Sequence, residues 1–332
     1  MPPARRGVWA GLLLAVVVHS GCASLAHPVE RDGLVWSFDA WSRGDESLVA
    51  HWVLPVARSR PASVPSESAA HAATPGVIVM QHGFTRQCRH LAGLREALAR
   101  TGWSVLCLDL PFAAGDAQLI ADLADALSDG TLRPPRASNA APSVVAGGFS
   151  AGGVFAVRLG EALVRRDPQR FAGAMLFDPV DSRGFGAGLQ AIAAADRPVL
   201  SVLAEPGPCN AQGSATAPLL QAAGARPGRI EAVRLLRGST HVDAEGENTS
   251  DLAIAACRQG APAPRNVTLL RETAAQWMGV IDGRVSARAF AARLAEHERA
   301  GDLARLAGAG DTETQAAKDH GAKDHGAERA QP

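Results

Sequence analysis

Gly148-Phe149-Ser150-Ala151-Gly152 lies between a short apolar run at 143–146 and a helix-like stretch at 154–164. A serine on a sharp strand–turn–helix corner is held clear of the sheet, in the setting where G-x-S-x-G presents a nucleophile. Gly148 and Gly152 carry no side chain, so strand and helix can approach closely around the serine. The chemistry such a residue could do is attack on an acyl carbonyl. A free serine hydroxyl is a weak nucleophile at neutral pH, so it needs a base beside it.

Ten histidines are available. His241 follows the last expected strand in Leu236-Arg237-Gly238-Ser239-Thr240-His241, where a glycine-containing loop can carry the imidazole over the serine. A carboxylate should orient that imidazole and stabilise its cation. Asp178 leaves the carboxyl end of the strand at 172–177, the rim at which α/β sheets build their sites. Glu205 is the alternative acid, at the end of the next strand, and Asp181 and Asp243 are further candidates. The charge developing on a substrate oxygen needs preorganised donors. The backbone amides of Ala151, immediately after the serine, and Phe84, in Gln81-His82-Gly83-Phe84-Thr85, are the oxyanion candidates. His82 is read as a structural hydrogen-bonding residue.

These residues require elements to position them. Residues 34–38 and 48–56 form an expected hairpin about Ser42-Arg43-Gly44-Asp45, and 57–74 reads as a long loop. Strands are then expected at 77–80, 103–108, 143–146, 172–177, 199–204 and 232–236. Helices are expected at 91–100, 117–127, 154–164, 189–194, 217–223 and 267–280. Short apolar runs alternating with helices predict an α/β fold: a mostly parallel eight-stranded sheet with helices on both faces. The connections late in the sheet are short, so no large lid domain is expected. Residues 27–284 form the expected domain. Residues 285–308 are read as a C-terminal helical extension, and 309–332, with its repeated Lys-Asp-His-Gly-Ala, as a disordered tail.

Arg5 and Arg6, an apolar stretch at 8–18 and small residues at 20–24 make 1–26 an export signal. Two processing readings stand open: cleavage after Ala26, or lipidation of Cys22 with membrane attachment. Export allows disulfides. Cys209–Cys257 is the preferred pair, because both segments flank the histidine loop, and Cys107 is read as a buried core thiol. Net charge is zero and only two lysines occur, Lys318 and Lys323. Nucleic acid is therefore not expected as a partner, and neither a metal nor an organic cofactor is needed.

Together, His82-Gly83-Phe84, Gly148-Phe149-Ser150-Ala151-Gly152, a following acid and His241 resemble the α/β-hydrolase family over roughly residues 33–282, in the family's order of serine, acid and histidine. Asp178-Pro179-Val180-Asp181 looks like the chlorophyllase and platelet-activating-factor-acetylhydrolase branch, which carries its acid there. His82-Gly83-Phe84-Thr85 is also similar to cutinase-like esterases, whose acid lies one strand later, at Glu205. The resemblance implies a hydrolase of esters or related acyl compounds acting through Ser150, His241 and Asp178; with the export signal and the short late connections, the reading is an exported serine esterase acting on a small ester. A lipase, thioesterase or amidase of the same fold, or a non-catalytic envelope binding protein, are the alternatives.

Overall fold

Burial with period two builds the sheet. In β4 (Val77–Gln81), Val77 and Val79 enter one hydrophobic cluster while Ile78 and Met80 enter another. That alternation belongs to a strand covered on both faces. The computed structural model describes residues 28–56, 76–110, 116–135 and 142–306. The export segment with Cys22, the loop at 57–74 and the tail at 309–332 lie outside the described residues.

Before β4 come β1 (Val29–Arg31), β2 (Leu34–Arg43) and β3 (Glu46–Pro55). After it come β5 (Ser104–Leu108), β6 (Val144–Phe149), β7 (Phe171–Phe177), β8 (Val199–Leu203), β9 (Ile230–Leu235) and β10 (Leu303–Arg305). They form one sheet of ten strands in the order β1-β2-β3-β5-β4-β6-β7-β8-β9-β10. The run from β5 through β9 is parallel, and β1, β2, β3 and β10 join through antiparallel pairings.

The sheet therefore has ten strands and is mixed, a correction to the eight-stranded, mostly parallel expectation. The two additional strands have three residues each. That is too short for a period to show in sequence, and all of β1 is exposed.

Helices α2 (Ala117–Asp129), α3 (Gly152–Arg166), α4 (Phe185–Ala194) and α5 (Thr216–Ala225) cover one face through Leu123, Phe155, Leu189 and Leu219. Helices α1 (Ala92–Ala99), α7 (Pro264–Ile281) and α8 (Ala287–Arg299) cover the other through Leu94, Leu270, Trp277 and Phe290. The short α6 (Asp251–Cys257) follows the histidine loop. The 285–308 segment is only partly helical, correcting the expected extension. Ser286 caps α8 by accepting from the Ala289 amide, and Phe290 and Leu294 bury one stripe. Gly301 then turns at φ +69°, and the chain returns to the sheet as β10.

Chain order positions the site. From β4 the chain passes to β5 through α1 on one face, then crosses back over β4 to β6 through α2 on the other. The carboxyl ends of β4 and β6 thus flank a topological switch point, where open α/β sheets leave a crevice.

Candidate active site

Strand β6 runs to Phe149, and Ser150 breaks it with φ +56°. A left-handed serine costs free energy that only well-determined surroundings sustain. Here the Ser150 amide donates to the Phe177 carbonyl at 3.0 Å, and the Gly153 amide returns to the Ser150 carbonyl at 2.9 Å. The two elbow glycines are required by close approach. A Cβ on Gly148 would come to 2.0 Å from the Gly152 carbonyl oxygen, and one on Gly152 to 2.2 Å from that of Gln81.

Three side chains from three strand ends meet at this corner. Ser150 Oγ lies 2.9 Å from His241 Nε2, and His241 Nδ1 lies 2.6 Å from Asp178 Oδ2. All three are buried, with Ser150 8% exposed and Asp178 4%. Asp178, like Ser150, has a positive φ, +41°, so the chain turns directly off β7 and points the carboxylate at the loop after β9. Phe149 packs on the imidazole with ring centroids 4.8 Å apart. With its proton on Nδ1 toward Asp178, the imidazole leaves Nε2 free to accept the serine hydroxyl proton.

The other candidate acids face elsewhere. Glu205 Oε1 accepts from the Gly238 amide at 3.2 Å. Asp243 accepts from the Thr240 amide and hydroxyl and from the Ala263 amide, and burial raises its pKa. Asp181 is exposed, and its amide donates to Ser214 Oγ at 3.0 Å.

The loop after β4 lies against the serine: a Cβ on Gly83 would stand 3.0 Å from Ser150 Cβ. His82 anchors this loop from below. Its Nδ1 donates to the Gly83 carbonyl at 2.9 Å, and its Nε2 accepts from the Leu110 amide at 3.2 Å. Burial lowers its pKa, favouring the neutral ring this arrangement requires. Phe84 projects from the loop with 61% of its surface exposed. Ala151 is the N-cap of α3, so its amide lies at the positive end of the helix dipole.

Two disulfides buttress the site. Cys209–Cys257 joins the loop after β8 to α6. Cys107, expected as a free core thiol, is instead bonded to Cys88, because the turn after the Phe84 loop packs directly on β5. Sequence reasoning also missed Asn210, Gln259 and the Arg86–Glu245 ion pair. Asn210 adjoins a cysteine already singled out, which was a usable signal. Arg86 and Glu245 are 159 residues apart, with no local pattern to connect them.

Comparison with protein-family models and with curated proteins finds no match. Among solved structures, the chain is similar to a cold-adapted esterase from an Arctic intertidal metagenomic library, seen as a PEG-bound complex. The identity is 15% and the TM-score 0.44, with 63% of this chain and 87% of that one covered.

Proposed function

We propose that this protein is a serine hydrolase of the α/β-hydrolase family that cleaves carboxylic esters through an acyl-enzyme. The observation carrying the proposal is the hydrogen-bonded chain from Asp178 through His241 to Ser150, on a serine held in left-handed backbone. The strand order and the crevice at the switch point support the family reading.

His241 takes the Ser150 proton as Oγ attacks the ester carbonyl, and Asp178 stabilises the imidazolium. The Phe84 and Ala151 amides receive the charge on the tetrahedral oxygen. The imidazolium then gives its proton to the departing alcohol. Water, deprotonated by His241, releases the acid and restores the serine. The exposed Phe84 beside the serine, and the single helices α4 and α5 that fill the connections between β7 and β9, suit an open site and small soluble esters. Two disulfides favour an oxidising compartment, consistent with export. Whether Cys22 anchors the chain is decided by metabolic labelling with a fatty acid, compared with Cys22→Ala.

Fluorophosphonate labelling tests the enzyme reading. Covalent label on Ser150, absent in Ser150→Ala, is expected, together with turnover of short acyl esters. A folded protein that never labels would exclude it. Asp178→Asn should abolish nearly all turnover and Glu205→Gln should spare most; the reverse would move the acid to Glu205.

A further inference from the structure

Asp178 is gripped by a residue outside the three. Asn210 Nδ2 lies 3.2 Å from Asp178 Oδ1 and 3.0 Å from Oδ2, and donates to the Glu205 carbonyl at 2.9 Å. Asn210 Oδ1 accepts from the amides of Gly207 at 2.8 Å and Gly213 at 3.0 Å. The side chain is fully buried, so these bonds are its whole hydrogen-bonding inventory. The Ala204 amide completes the grip, 3.0 Å from Asp178 Oδ1.

Gln259 makes a matching set of contacts for the base. Its Oε1 accepts from the His241 amide at 3.2 Å, and its Nε2 donates at 3.2 Å to the same Glu205 carbonyl that Asn210 uses. The two amides thus converge on one backbone oxygen. Gly207 lies flat against the second of them, since a Cβ there would come to 2.1 Å from Gln259 Nε2.

The Cys209–Cys257 bond sits beside both amides, one residue from Asn210 and two from Gln259. Three non-glycine residues around it hold left-handed backbone: Ala211 at φ +49°, Gln212 at +59° and Arg258 at +54°. Strain of this kind persists only where the surroundings over-determine the conformation, and it collects at functional sites.

We propose that Asn210 and Gln259, fastened together by Cys209–Cys257, are positioning residues that set the separation and angle of Asp178 and His241. The inference rests on the Ser150–His241–Asp178 reading above. The amides bond Asp178 and the His241 backbone, with no bond from either to Ser150. Each acts through the residue it holds, so its loss should appear in turnover and not in substrate binding.

The test measures kcat and KM on a soluble p-nitrophenyl ester for Asn210→Ala, Gln259→Ala, Asp178→Ala and the Asn210→Ala/Asp178→Ala pair, with circular dichroism confirming the fold. Displacing a catalytic group by a fraction of its bond length should lower kcat by about 10- to 100-fold for Asn210→Ala, with KM within about twofold. In the Asp178→Ala background the same change should cost less than about threefold, because the residue it positions is gone. Should Asn210→Ala fail to fold, Gln259→Ala and Cys209→Ser/Cys257→Ser carry the test, each expected to lower kcat by about tenfold. Parental kcat in the folded variants, with that of Asp178→Ala lowered to a small residual rate, overturns the bracket and leaves the triad standing. Parental kcat in Asp178→Ala removes the triad itself, and the bracket with it.

Discussion

Arg86 and Glu245 meet as a two-point ion pair, Nε to Oε1 at 2.6 Å and Nη2 to Oε2. Arg86 stands two residues after Phe84, and Glu245 four after His241, so the pair fastens the loop after β4 to the histidine turn. Glu245 is 1% exposed and also accepts from Thr249 Oγ1 at 2.7 Å. Arg86 reaches on to Ser250 Oγ at 3.3 Å.

Arg86→Ala strands a buried carboxylate. It should cost about 3 kcal/mol, the low end for a broken buried pair because the arginine is partly exposed. Arg86→Met/Glu245→Leu should recover most of that stability, since apolar residues of similar volume replace such pairs with little loss. Turnover should stay low in the double variant, because the two loops are no longer fastened. Urea denaturation and kcat, read side by side, separate the two effects.

The elbow glycines should tolerate nothing larger. Gly148→Ala and Gly152→Ala each press a methyl into backbone and should cost at least about 1–3 kcal/mol. Gly224 lies in α5 with open space around its Cβ position. Gly224→Ala should therefore gain up to about 1 kcal/mol from helix propensity. Thermal midpoints of the three variants check the contrast.

Acid should weaken the fold through His82. Its folded pKa is pushed by burial below the ordinary value of about 6.5. The unfolded chain therefore binds this proton first as pH falls. Its contribution to stability is complete above about 6.5 and declines from there down to the folded value. A plot of thermal midpoint against pH from 7.5 to 5 should slope downward toward acid, and His82→Gln should flatten it. An unchanged slope in His82→Gln would assign the proton elsewhere.

The Cys88–Cys107 bond closes a loop with a sequence separation of 19 residues. Removing it as Cys88→Ala/Cys107→Ala should cost about 3 kcal/mol, chiefly by freeing the unfolded chain. Denaturation with and without reductant checks this: reduction should cost the parent about 3 kcal/mol more than it costs the double variant, which has only Cys209–Cys257 left to lose.

Much of this site could be read before any coordinates. Ser150, His241 and Asp178 each follow a strand that announced itself as a short apolar run ended by glycine, proline or a polar turn. Strand ends at one rim of an α/β sheet are brought together by topology, so sequence order alone narrowed the choice. Geometry separates Asp178 from Glu205, because both leave neighbouring strands and only the left-handed turn at Asp178 aims its carboxylate at the imidazole. Asn210 and Gln259 were hidden because an amide in a loop has no period. The short strands β1 and β10 were hidden because their pairing partners, not their own residues, make them strands.

Those two strands have a consequence for the molecule in solution. A sheet's outermost backbone groups offer a template for pairing with another copy, and short terminal strands blunt that hazard. Here β1 and β10 finish opposite sides of the sheet, leaving three residues of ladder at each. Without β10 the carboxyl half of β9, with Val233 and Leu235 buried, would lie unpaired. The turn that brings the chain back after α8, at the same rim as the histidine loop, therefore guards the edge of the sheet against aggregation.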